Sequence, residues 1–191
     1  MDVPLFPLNT VLFPGGPLPL RIFEARYIDM VCRCMRQEEP FGVVLIRTGA
    51  EVGTVSDMAD VGTTARIVDF HALADGLLGI ACIGESKFRT VKRWRQSDGL
   101  HLGEIQCLPP EERVELPGEY QHLGELVGKL LPELGEEYAN VPQHFADASW
   151  VGCRLAEILP INPSEKQEFL ELDDPIARLT RLNLLIRREQ D

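Results

Sequence analysis

Residues 3–35 read VPLFPLNTVLFPGGPLPLRIFEARYIDMVCRCM, and the two halves of this stretch obey different rules. The first half is apolar but interrupted by Pro4, Pro7, Pro14, Pro17 and Pro19. Proline lacks an N–H and fixes φ, so this half is neither a helix nor a central strand throughout. It suits short edge strands joined by a tight turn at Pro14-Gly15-Gly16-Pro17. In the second half Phe23, Tyr27, Met30, Val31 and Cys34 recur at three- and four-residue steps, the spacing of one helix face, with Arg26, Asp29, Arg33 and Arg36 on the other. A residue preceding proline is pushed out of the α region, so the helix is predicted to stop before Pro40.

Working outward, the next stretch alternates short apolar runs with turn residues. Strands are predicted over residues 41–46, 51–55, 65–70, 77–83, 87–94 and 100–108. Turns are expected at Gly49, over residues 60–63, at Asp75-Gly76, at Gly84-Glu85 and at Ser97-Asp98-Gly99. Strands this short and evenly punctuated imply a compact, partly closed β structure. Residues 109–117 read PPEERVELP, an extended, solvated composition. This divides the chain into a β-rich lobe over residues 1–108, a linker over 109–118 and a helical lobe over 119–191.

The helical lobe opens with an apolar stripe of Tyr120, Leu123, Val127, Leu130 and Leu134. A second helix is predicted over residues 147–159, ended by Pro160. Asn162, Pro163 and Glu165 spell a cap, a first-turn proline and a capping-box glutamate. Asp174 and Pro175 repeat the device for a last helix that buries Ile176, Leu179, Leu182 and Ile186 and ends on Arg187 and Arg188. The expected fold class is therefore α+β, with a small four-helix bundle at the C-terminal end.

Bulk properties narrow the function classes. A 45% hydrophobic share is enough for a real core, and no apolar run is long enough for a membrane helix. The first residues lack the basic and apolar regions of a secretory signal, which makes a cytoplasmic location the expectation. The net charge of −11 repels a phosphate backbone unless a local basic stripe offsets it. Lys87, Arg89, Lys92, Arg93 and Arg95 form the best such stripe, and a solvated strand edge explains them more simply. Nucleic acid is thus an unfavoured partner.

Catalytic patterns are sparse. Gly128-Lys129 is followed by Leu130 and preceded by no correctly placed glycine, so no phosphate-binding loop is present in the sequence. The histidines His71, His101, His122 and His144 and the 5 cysteines show no metal-ligand spacing. Neither a metal nor another cofactor is expected. A small hydrolase built on Cys82 with His71 or His101 is a weak alternative to packed cysteines and surface histidines. Among the aromatics, Trp150 reads as core, whereas Trp94, between Arg93 and Arg95, reads as partly exposed.

A family resemblance joins these pieces. PLFPLNTVLFPGGPLPLRIFEARYIDMV resembles the opening of the Lon N-terminal domain, also called the Lon substrate-binding domain. FGVVLI at 41–46, VGTTARI at 61–67 and the run from Asp75-Gly76 to Phe88-Arg89-Thr90-Val91 match the same family in order; residues 150–186 resemble its helical part. The resemblance implies that the β lobe is a PUA-like pseudobarrel, with RNA binding as an alternative by analogy. It implies a non-catalytic module that holds extended polypeptide or a partner protein; the ATPase and serine–lysine protease modules of full-length Lon are not carried over. The candidate contact surface lies where the Pro-Gly-Gly-Pro turn approaches the first helix. Its residues are Phe13, Leu18, Arg21, Glu24 and Arg26, with Trp94 as a further exposed aromatic.

Overall fold

A computed structural model describes residues 1–51, 55–139 and 141–188. The strand expected over residues 51–55 falls mostly outside the described residues. The architecture is α+β, and the chain divides into two compact units, Met1–Pro109 and Pro110–Asp191.

In the first unit β1 (Asp2–Leu8), β2 (Pro17–Ile22), β3 (Phe41–Gly49), β4 (Val55–Met58), β5 (Val61–Ala72), β6 (Leu78–Arg95) and β7 (His101–Cys107) surround one helix, α1 (Ala25–Gln37). The sheet runs β1-β7-β6-β5-β3-β4 and closes on itself because β1 also pairs with β3. That closing pair is parallel; the others are antiparallel.

Strand β1 is not the edge strand its prolines imply. Residues 2–5 pair with β7 and residues 5–8 with β3, so each half of β1 is paired on one flank only. Pro4 and Pro7 therefore sit where one side of the backbone needs no donor. Strand β2 is an edge, pairing only with β6, as is β4, which pairs only with β3.

The predicted face of α1 is buried at Tyr27, Met30, Val31 and Cys34, and packs on Leu18, Ile22, Ile80 and Cys82 from the sheet. Glu38 takes the left-handed conformation at φ 54° and closes the helix before Pro40. Phe23 departs from expectation. Glu24 is the N-cap, so Phe23 lies outside the helix and is 54% exposed.

Gly84-Glu85 is likewise no turn, because β6 runs unbroken from Leu78 to Arg95. A Cβ at Gly84 would stand 2.3 Å from Phe13 O, so glycine is needed there to let the Pro-Gly-Gly-Pro turn lie against β6. Strand β5 also starts earlier than predicted, at Val61 in place of a turn. The two turns at Gly76 (φ 81°) and Gly99 (φ 89°) are where the sequence puts them.

The second unit contains α2 (Gln121–Leu130), α3 (Ala148–Ile158), α4 (Pro163–Glu171) and α5 (Pro175–Arg188). Asn162 and Glu165 form the capping box, and Asp147 and Asp174 cap α3 and α5. Helix α2 ends one turn early, so Leu131 is buried in place of Leu130 and Leu134. On α5, Leu179 and Leu182 are buried and Ile176 and Ile186 only partly so.

Part of the segment expected as a solvated linker is bonded to this unit. Leu116 N donates to Ala146 O and Ala148 N to Val114 O, both bonds within ordinary length. Glu111 accepts two hydrogen bonds from Arg178, at 2.8 and 2.6 Å, and the Arg178 side chain is 1% exposed.

Candidate functional site

The expected surface begins with the turn that feeds β2. Gly84 N donates to Gly16 O at 2.9 Å, which fixes the hydrogen-bonding phase of the β2–β6 pair. Alternating from that bond along the register, Leu18, Leu20 and Ile22 turn their backbone groups towards β6. Pro17, Pro19 and Arg21 turn theirs to the free edge. Two of these three residues lack an N–H, so the edge offers carbonyl acceptors and, from Arg21, one donor.

Beside this edge lies a groove of about 340 Å³. Phe6 and Leu8 of β1, Ile22 of β2 and Tyr27 of α1 make a buried floor. Phe6 and Tyr27 are stacked with ring centroids 4.0 Å apart. The rim carries Pro19, Leu20, Arg21, Phe23, Glu24 and Glu51. Phe23, left outside the helix, is its exposed aromatic side chain.

Polar bonds hold the rim. Arg21 forms an ion pair with Asp75, tying β2 to the β5–β6 turn. Glu24 pairs with Arg26 at 2.7 Å, and Glu51 accepts from Asn9 N at 2.6 Å. The Arg26 guanidinium lies 4.8 Å from the Tyr27 ring centroid. Burial raises the Tyr27 hydroxyl above the usual tyrosine range, with Arg26 and Arg95 acting against it and Glu24 and Glu51 with it.

Of the residues singled out in sequence, Arg21 and Glu24 line the groove, and Arg26 backs it through Glu24 and Tyr27. Phe13 is 0% exposed and Leu18 is buried, so their side chains offer no surface. Trp94 is half-buried opposite Leu102 in β7 and does not line the groove. Phe23 was missed as a surface residue because its spacing imitates a helix face. Its position directly before the helix N-cap is the signal that separates the two cases. Phe6, Leu8 and Glu51 carry no local signal, since only sheet closure brings them beside β2.

The Cys82 thiol is buried and pushed up to about 12, first by desolvation and then by nearby Cys34. Cys82 pairs with Ile67, whereas His71 pairs with Gly79; three rungs of a strand separate them by roughly 10 Å. His101 lies opposite Arg95, far along β6. Cys153 is buried as expected, but Cys107 is exposed at the end of β7. No group of metal-ligating side chains occurs among the described residues.

The basic stripe is also interrupted. A bulge between Thr90 and Lys92 shifts the register, Lys87 is buried, and Arg93 binds Met58 O, Ala59 O and Asp60. Among the described residues no helix is long and apolar enough to cross a membrane.

The first unit is thus a ring-like sheet around one helix, and the second carries four helices. The family model described as the ATP-dependent protease La (LON) substrate-binding domain matches residues 2–188, and the chain belongs to that family. The solved Lon N-terminal domain protein from Xanthomonas campestris is 35% identical, with a TM-score of 0.80 over 96% of this chain and 98% of that one. The N-terminal domain of Lon protease from the Mycobacterium avium complex shares the fold, with a TM-score of 0.62 at 20% identity over 95% of this chain and 96% of that one. Lon protease of Paraburkholderia phytofirmans is 30% identical over 95% of this chain, and Lon protease 2 of Myxococcus xanthus 26% identical over 99%. This chain spans about a quarter (24%) of the length of each of these two proteases.

Proposed function

We propose that the domain is a non-catalytic binding module that holds extended segments of unfolded polypeptide in the groove between β1, β2 and the start of α1. The observation that carries this reading is the groove itself, with its apolar floor and the exposed Phe23 next to the free edge of β2. Membership of a substrate-binding family supports the same class of ligand. Side-chain insertion dominates over strand addition, because Pro17 and Pro19 remove donors that a full β-augmentation needs. Binding is weak and fast, since an extended segment must be ordered as it docks. The ATP-dependent proteolysis of whole Lon enzymes is no part of this reading, and a cytoplasmic location is proposed with it. RNA binding is disfavoured by the charge of −11 and by the interrupted basic stripe.

The test is fluorescence anisotropy with a labelled, permanently unfolded carboxymethylated protein. Phe23→Ala should weaken binding roughly 5- to 20-fold, corresponding to ~1–2 kcal/mol of lost apolar burial. Phe23 is outside the core, so the fold is expected to persist. Unchanged affinity in this variant would remove the groove as the contact surface.

A further inference from the structure

Next to the groove, positive charge is concentrated on one backbone oxygen. Arg26 Nη1 donates to Gly99 O at 2.9 Å, and Arg95 Nε donates to the same oxygen at 3.2 Å. A Cβ at Gly99 would stand 3.1 Å from both Arg26 Nη1 and Arg95 Nη2, so the two guanidiniums lie side by side. Like charges brought together repel, and one neutral carbonyl does not cancel them. Glu24 pairs with Arg26, but Arg95 has no carboxylate partner among the described residues. The Arg26 side chain is 9% exposed, and its Nε has no hydrogen-bond partner. His101 stands opposite Arg95 in the β6–β7 register. Burial, and then Arg95, Arg26 and Arg93, hold its imidazole below the usual histidine range. Two guanidiniums, only one of them paired with a carboxylate, and a histidine therefore share a corner whose compensating charge is incomplete.

We propose that Arg26, Arg95 and His101 form a carboxylate-binding corner that anchors an acidic group of the polypeptide held in the groove. This rests on the groove reading, through Tyr27, which lines the groove and lies in the field of both arginines. A carboxylate matches a guanidinium fork with two parallel hydrogen bonds, and a second guanidinium reinforces it. The acidic group is either a free chain terminus or an Asp or Glu side chain; both present the same planar anion. Its arrival relieves the repulsion between the arginines and favours the protonated form of His101, with Glu24 as the opposing negative neighbour.

The experiment is an NMR titration of the full chain with three peptides of one apolar sequence. The first has a free C-terminal carboxylate and no acidic residue, the second is its C-terminal amide, and the third is the amide carrying one internal Glu. A carboxylate peptide should bind at least fivefold more tightly than the plain amide, shift the Gly99 and His101 signals and raise the His101 titration midpoint. Tighter binding of the first identifies a chain terminus, and of the third an acidic side chain. Arg95→Gln, an exposed position, should erase the advantage without changing affinity for the plain amide. Equal binding of all three, with shifts over residues 20–27 and none at His101, would overturn the corner while leaving the groove reading intact. No shift from any peptide would overturn both.

Discussion

The Arg178–Glu111 pair stands at the smallest scale of this fold. Arg178 donates to Phe169 O at 3.0 Å as well as to both Glu111 oxygens, so one guanidinium joins the segment before α2, the end of α4 and α5. Ser149 adds a further bond to Glu111. None of this was legible in the sequence, where Glu111 read as a solvated charge and residue 178 fell between the apolar positions of a helix. Charge pairs across dozens of residues leave no periodic trace. Removing one partner of a buried pair strands the other charge, at a cost of about 3–5 kcal/mol. Glu111→Ala should therefore lower unfolding stability by about that amount in urea titration, whereas Glu112→Ala, an exposed neighbour, should change it by less than about 0.5 kcal/mol. Similar losses in the two variants would contradict the assigned role.

Among elements, helices were the most legible, because caps are local: Asn162, Glu165 and Asp174 place α4 and α5 to within a residue. Strand boundaries were less so. Gly84 carries the mark of a turn, yet its glycine serves the approach of another segment to a continuous strand. Sequence pattern does not distinguish a glycine that bends its own chain from one that makes room for a neighbour. The groove inherits the same limit, since β1 and β2 are adjacent only through ring closure. Gly84→Ala should force a Cβ against the Phe13 carbonyl and cost about 1–3 kcal/mol. Gly76→Ala strains the backbone at φ 81° but meets no atom within 4 Å, so it should leave the Phe13–Gly16 turn undisturbed in amide shifts. Calorimetry with backbone NMR distinguishes the two; an unperturbed turn in Gly84→Ala would refute the packing role.

On the scale of the whole chain, the compositional break after Leu108 and the boundary between units at Pro109 lie close together. The proline- and glutamate-rich composition read as a linker conceals the bonds from residues 111, 114 and 116. We propose Pro110 as the start of an independently folding helical domain. The fragment 110–191 should give a cooperative thermal transition by circular dichroism, and the fragment 119–191, which lacks Glu111 and Val114, should not; equal cooperativity would contradict that boundary. The central claim, that the groove of the first unit takes unfolded polypeptide, is tested most directly by amide-shift mapping on the full chain with a carboxymethylated, permanently unfolded protein. Saturable shifts are expected to cluster on Leu20, Arg21, Phe23, Glu24 and Tyr27 and to weaken in Phe23→Ala. Shifts confined to other surfaces, or none at ligand concentrations approaching millimolar, would contradict it.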